Sequence, residues 1–252
     1  MGKNIAFITD IHGNANALKA TLQEIDNREN IEHIFCLGDM IGIGHQTNEV
    51  LDMLFSRQDM SMITGNHDEA VLALKNGEEY PKSHNIGELR KHHEWIANDL
   101  DASFIPKLEA LPRYIHTIIG QIPTALIHYH IKKDMLSEHI SKEPFSQIVE
   151  PSYNLLNDLF NDFDEKLICF GHHHPVHLFQ MKEKVFLNPG SLGCNADPYA
   201  KYSVVTFNDG IISIDLQETK YDRMDFIHQF KKVQVPFHKT ILKIFYGIEN
   251  SS

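Results

Sequence analysis

Residues 4–26 read NIAFITDIHGNANALKATLQEID. The apolar run Ile5 to Ile8 has the pattern of a buried strand, after which Ala17, Leu18, Leu22 and Ile25 recur at helical spacing. Asp10 and His12 fall on the joint between the two. The same unit returns as HIFCLG (33–38) before QTNEVLDMLFSR (46–57), and as MSMITG (60–65) before DEAVLALKNG (68–77). Repeated βα units predict an α/β fold whose parallel strands are covered by helices.

Outward from there the pattern changes. Residues 78–111 are helical and polar, with helices expected over 86–100 and 104–111, and are read as a helical insertion. The second half is richer in strands: RYIHTII (113–119), TALIHYH (124–130), KLICFG (166–171), VHLFQM (176–181), KVFLN (184–188), YSVVTF (202–207) and IISIDL (211–216). Asn208, Asp209 and Gly210 between the last two give a hairpin signal. Helices over about 222–232 and 237–246 close the chain. No repeat, low-complexity tract or Pro/Gly linker divides it, so a single domain over 1–252 is expected.

Composition narrows the partners. With 23 basic and 34 acidic residues among 252, the net charge of −11 provides no general attraction for long nucleic acid or an anionic membrane. An anionic substrate must be attracted locally. No run approaches about 18 apolar residues, and the first residues enter a strand without a secretory apolar segment, so a cytoplasmic protein is expected. Nothing in the sequence sets its oligomeric state. Cys36, Cys169 and Cys194 show no CxxC pairing and read as reduced thiols. The first two sit in apolar runs; Cys194 lies in a Gly/Asn/Asp loop that allows exposure.

The acids and imidazoles have a topological pattern. Asp10 and His12 follow the first strand, Asp39 the second, and Asn66, His67 and Asp68 the third. His128 and His130 end TALIHYH, and His172 to His174 follow KLICFG. Each cluster lies just past a strand's carboxyl end, where open α/β sheets collect ligand-binding residues. His84, His92, His93, His116, His139, His228 and His238 are assigned to outer helix faces, and His33, His45 and His177, which the pattern leaves open, lean the same way. The chemistry that needs the strand-end set is a dinuclear metal centre. Carboxylates can bridge cations, and imidazole favours Mn, Fe, Co, Ni or Zn over Mg or Ca. Two such ions about 3.5–4 Å apart can clamp a displacement at phosphorus and acidify water. Two divalent ions, two Asp and one hydroxide leave a local charge of about +1, enough to attract a phosphate ester into an acidic protein.

Asp10-x-His12, Gly38-Asp39-x-x-Gly42, Gly65-Asn66-His67-Asp68, the strand-end His128 and Gly171-His172-x-His174 occur in that order. They resemble the signature blocks of the calcineurin-like metallophosphoesterase superfamily, and DIHGNANAL, GDMIGIG, LNPGSLG and YSVVTF resemble its small prokaryotic phosphodiesterase and phosphatase branch. The resemblance covers Ile5 to about Leu216. It implies a four-layer αββα sandwich of two mixed sheets flanked by helices. It also implies a hydrolase of phosphoric ester bonds with one ion on Asp10, His12 and His174, a second on Asn66, His128 and His172, and Asp39 bridging both. A hydroxide between the ions would be the nucleophile, and His67 would protonate the leaving group. Mn²⁺ is the first choice of metal, with Fe, Zn, Co and Ni as alternatives.

Departures from the family pattern shape the remaining expectations. Ile43 stands where protein serine/threonine phosphatases of this superfamily carry a phosphate-binding Arg, and CNADP after NPGSLG carries none. A small phosphodiester substrate, with nucleotides among the candidates, is therefore favoured over a monoester. Tyr129 replaces a Gly usual after His128 and is expected to narrow the site; His130 is expected to touch substrate or orient His128, and Asp68 to cap a helix beside the ligands. The middle imidazole, His173, is read as a bystander. A non-catalytic scaffold retaining the fold is the alternative to an enzyme.

Overall fold

A computed structural model describes residues 2–85, 87–181 and 183–249. Strands β1 (Lys3–Ile8), β2 (Ile31–Cys36) and β3 (Met60–Met62) alternate with helices α1 (Ala15–Asp26), α2 (Thr47–Phe55) and α3 (Asn66–Asn76). Then come α4 (Leu89–Asp99), α5 (Ile105–Glu109), β4 (Tyr114–Ile119), β5 (Ile122–Ile127) and α6 (Tyr153–Leu159). The chain continues through β6 (Leu167–Cys169), β7 (His177–Gln180), β8 (Val185–Asn188), β9 (Tyr199–Asn208) and β10 (Ile211–Lys220). It ends with α7 (Arg223–Lys232) and α8 (His238–Tyr246). The helix expected over 86–100 is α4; Ile86 itself lies outside the described residues.

Two five-stranded sheets form, in the orders β10-β9-β1-β2-β3 and β4-β5-β6-β8-β7. Strands β1, β2 and β3 run parallel, as do β5, β6 and β8, while β9, β10, β4 and β7 pair antiparallel. Both sheets are thus mixed. The period-2 alternation of side chains makes the layers. In β1, Ala6 and Ile8 pack with α1 and α2, while Ile5 and Phe7 face Leu126, Leu167, Cys169 and Leu187 of the other sheet. Ala125, Ile127, Ile168 and Phe186 turn to the far side, under Leu156 of α6. Helix, sheet, sheet, helix is the resulting order. Each large apolar side chain buried between the sheets contributes about 1.5–3 kcal/mol, and this inner layer rigidly joins the two sets of strand ends.

Local signals explain the elements. Asn14 caps α1 by accepting from the Ala17 N–H at 3.0 Å. Asp209 and Gly210 turn β9 into β10 with positive φ at both positions, 47° and 79°, the requirement of a tight two-residue hairpin. Helices α7 and α8 pack on Ile43 and Cys194 through Phe226, Phe230, Leu242 and Tyr246. Among the described residues no helix is long and apolar enough to cross a membrane.

Candidate metal centre

The β1–α1 and β2–α2 loops brace each other. The Asp10 N–H donates to Gly38 O (3.1 Å), the His12 N–H to Asp39 O (2.9 Å), and the Gly44 N–H to His12 O (2.7 Å). Asp10, His12, Asp39 and His172 all have left-handed backbones, with φ of 52°, 49°, 51° and 67°. This conformation costs a residue with a side chain about 1–2 kcal/mol, although Asp, Asn and His tolerate it best. Four such residues at one spot are strain concentrated at a functional site. Close approach also needs two glycines: a Cβ on Gly65 would strike Asp39 Oδ1, and one on Gly171 would strike Thr9 Oγ1.

Asp39 lies between two groups of donors. Its Oδ2 is 3.1 Å from His128 Nε2 and 3.8 Å from His12 Nε2. On one side His12 Nε2 and His174 Nε2 are 3.1 Å apart, at 3.6 and 3.7 Å from Asp10 Oδ1. On the other, His128 Nε2 is 3.1 Å from Asn66 Oδ1, and the His128 and His172 rings are 5.4 Å apart. Donor atoms of Asp39, His128 and His172 fall within 4.8 Å of one another, as do those of Asp10, His12 and Asp39. All seven ligands expected from the sequence therefore converge.

Outer contacts aim the donors. His12 Nδ1 meets Ile41 O at 3.2 Å and His128 Nδ1 meets Leu37 O at 2.7 Å, which turns each Nε2 inward. The Asn66 side-chain N–H donates to His84 Nε2 at 2.8 Å, leaving its carbonyl oxygen for the centre. Asp10 accepts from the His172 N–H (3.0 Å) and the Thr9 hydroxyl (2.9 Å), while Asp39 Oδ1 accepts from the His67 N–H (2.8 Å).

The electrostatics show what these groups lack. Asp10 and Asp39 are buried, and their ion pairs among the described residues are all with histidine. Burial would raise the Asp39 carboxyl, but the charges of His128, His67 and His12 hold it well below its ordinary value. Burial would lower His128, but Asp39 lifts it to about 9, and His12 is raised in the same way by Asp10 and Asp39. Burial, with His128 beside it, drives His172 down to about 3; burial also outweighs Asp10 in driving His174 down to about 4. The pocket thus draws positive charge onto two imidazoles and keeps the lone pairs of two others free. Buried carboxylates paired only with histidine among the described residues, beside the neutral His172 and His174 and an amide oxygen, fit divalent transition-metal ions, whose binding would displace the protons from His12 and His128.

Beside the donors, His67 Nδ1 meets His93 Nε2 at 3.0 Å, and His93 Nδ1 meets the Tyr80 hydroxyl at 2.9 Å. Burial, with His84, His93 and His12 nearby, holds His67 well below its ordinary value despite Asp39. His67, Asn66 and His172 line a cleft of about 740 Å³. Lys82, Leu89, Glu143, Phe145 and Gln147 line it as well.

Several expectations are corrected. His84, His92 and His93 are buried instead of lying on outer faces, and His84 lines the cleft. His45 is buried between Phe226 and Phe230, and His177 is buried as well. Spacing carried a signal for the helix pair, because Leu89, His92, His93, Ile96 and Leu100 form one helical stripe. The ring nitrogens of His130 bond Ser146 Oγ (2.7 Å), on a residue that lines the cleft, and Asp162 (3.4 Å), while Leu37 O, not His130, meets His128 Nδ1. Asp68 accepts from the Gly65 N–H and the Ile41 N–H, both at 3.0 Å, and so caps α3 while fixing the Asp39 loop. Burial and Asp39 raise its carboxyl to about 7. Tyr129 does not narrow the mouth: it is buried with Phe160 and Phe170, and its ring supports His172 at 5.1 Å. His173 turns away to His177 at 2.9 Å. Cys194 is buried, not exposed.

Two acids, four imidazoles and an amide gathered at the carboxyl ends of two packed sheets define a metal-dependent phosphoesterase. The chain belongs to the calcineurin-like phosphoesterase superfamily, whose domain matches residues 4–210. It is a hydrolase acting on phosphoric ester bonds. Over 248 residues it is 29% identical to uncharacterized protein MJ0912 of Methanocaldococcus jannaschii, covering 92% of this chain and 93% of that one. The fold is similar to a metallophosphoesterase from Sphaerobacter thermophilus (TM-score 0.70, 20% identity, 98% of this chain and 100% of that one). It is also similar to hypothetical protein PH1004 from Pyrococcus horikoshii (TM-score 0.76, 17% identity, 99% of both chains).

Proposed function

We propose that the chain is a single-domain phosphodiesterase. It would hold two divalent transition-metal ions, one on Asp10, His12 and His174 and the other on Asn66, His128 and His172, with Asp39 serving both. The observation that carries this reading is the Asp39 carboxylate, buried and within 4 Å of imidazoles from both groups. When bound, such a pair polarises phosphoryl oxygens and acidifies water. The chain's own residues then do the following. The Asp39 loop and the left-handed turns at Asp10 and His172 keep the donors in place before substrate arrives. His93 fixes the ring of His67, whose Nε2 is then the nitrogen left to hold a proton for the departing oxygen. Lys82 offers one positive charge at the mouth, and Leu89 and Phe145 offer apolar surface to an ester substituent.

The cleft favours a diester. Lys82 and Glu143 nearly cancel, and no Arg lines it among the described residues, so a monoanion with two substituents fits better than a dianion. Small phosphate esters, nucleotides among them, suit the volume. Three unpaired, buried thiols suit a reducing compartment such as the cytoplasm. The test is elemental analysis of purified protein followed by nitrophenyl mono- and diesters, then cyclic nucleotides and dinucleotides, assayed with Mn²⁺, Zn²⁺, Fe²⁺ and Mg²⁺. Two ions per chain and faster diester turnover are expected. Failure to bind transition metal, with no gain in activity on adding it, would overturn the reading.

A further inference from the structure

A soft donor stands on one side of the centre. Sγ of Cys194 and one ring nitrogen from each of His12 and His174 all lie within 4.8 Å of one another. The placement is built into the backbone. The loop after β8 is tied to the first strand end: Leu192 N–H donates to Thr9 O (2.9 Å) and Gly193 N–H to Asp10 O (3.0 Å). Ser191 clamps it twice more, donating its hydroxyl to Asp10 O (2.8 Å) while accepting from the Cys194 N–H (2.8 Å). Gly193 permits this closeness, because a Cβ there would strike Ile11 O. The sulfur is thereby held beside two imidazoles that already face each other at 3.1 Å. The thiol donates to the Tyr246 hydroxyl, 3.6 Å away on α8.

We propose that Cys194 is a ligand of the ion held by His12, His174 and Asp10, and that its sulfur makes the two metal positions chemically unequal. This rests on the dinuclear reading above. As the sulfur–metal bond forms, the thiol loses its proton to solvent, one proton for each ion seated there. Two nitrogens and a sulfur make the first position soft, selecting Zn²⁺, Fe²⁺ or Co²⁺ over Mn²⁺. Asn66, His128 and His172 leave the second position without sulfur. The thiolate also lowers the net charge of the first ion, so the second becomes the stronger Lewis acid. Through Tyr246, the C-terminal helix touches the sulfur and helps aim it.

Metal-free protein titrated with Co²⁺ tests this by absorption. The wild type should develop a near-ultraviolet sulfur-to-cobalt charge-transfer band that stops growing after one of its two equivalents. Cys194→Ser and Cys194→Ala should lose the band, still bind two ions by elemental analysis, and bind the first Zn²⁺ about tenfold or more weakly. Zn²⁺ loading of the wild type in weak buffer should release one more proton than loading of either variant. Two bound Co²⁺ without the band in the wild type would overturn the Cys194 assignment and leave the dinuclear reading standing. A band that persists in both variants would assign the sulfur to Cys36 or Cys169 and overturn it as well. A wild type that binds no ion would sink both readings. If a variant fails to fold, absence of the band from the Co²⁺-loaded wild type still overturns the assignment, and Cys36→Ser and Cys169→Ser, which should keep the band, supply the complementary test.

Discussion

Replacing His67 by Ala separates proton donation from metal binding. The imidazole is not among the seven donors, and the group that steadies Asp39 is the His67 backbone N–H, 2.8 Å from Oδ1, which alanine keeps. Both ions should therefore remain. What disappears is the ring clamped by His93 at 3.0 Å. Positioned general acids contribute about 10²–10⁴ in rate, or about 3–5 kcal/mol of barrier at 1.36 kcal/mol per tenfold. That loss should appear with alkyl or ribose leaving groups, which depart as strongly basic alkoxides, and nearly vanish with nitrophenolate, which departs without a proton. The assay is kcat/KM for a series of phosphodiesters of graded leaving-group pKa, on wild type and variant matched for metal content. A steeper dependence on leaving-group pKa in the variant is expected. Equal losses across the series, with both ions retained, would refute the proton-donor role.

Asp39→Asn removes the carboxylate charge shared by both donor groups, so affinity for both ions should fall about 100-fold or more, measured by competition with a chelating dye. His93→Phe keeps the volume but frees the His67 ring, and should lose about tenfold on poor leaving groups, with metal content unchanged. Equal slowing of nitrophenyl esters would instead make His93 a packing residue. His45 is buried with both ring nitrogens unpartnered, and burial lowers it to about 4 despite Asp225. In the unfolded chain it takes up a proton near pH 6.5, so stability is full above that value and falls toward pH 4, by about 3 kcal/mol at the lower limit. His45→Phe should raise the urea midpoint and flatten its dependence between pH 7 and 5; an unchanged slope would show that other groups control acid sensitivity.

The fold was legible because its signals are local and repeated. Ile5 to Ile8, Ile34 to Cys36 and Leu167 to Cys169 are apolar on both faces, as strands between a helical layer and a second sheet must be. The β9–β10 hairpin was visible in its turn residues. Both strands nevertheless extend to ten residues, beyond the apolar runs, since ladder pairing continues where one face is solvated. Strand β5 ends at Ile127, so His128 begins a loop and the alternation that would have aimed His130 beside it does not apply.

The convergence of the seven donors was readable because sheet topology alone carries strand ends together. The residues around them were not, because they come from segments whose path no local pattern sets. His84 sits on a short 3-10 turn and His93 on a helix of the 78–111 stretch, yet both reach groups on α3. Their burial is intelligible only with that helix in place: an imidazole costs little to bury when each nitrogen finds a partner, as His93 does with His67 and Tyr80. Cys194 shows the same thing from the opposite direction. Its neighbours Gly193 and Asn195 suggested a solvated loop, but those residues serve to press the loop against Ile11 and Ser191. Turn-forming residues therefore mark close backbone approach as readily as exposure. Here the approach brings the Cys194 sulfur within 4.8 Å of ring nitrogens of His12 and His174, a closeness that comes from backbone packing and that no local sequence pattern announces.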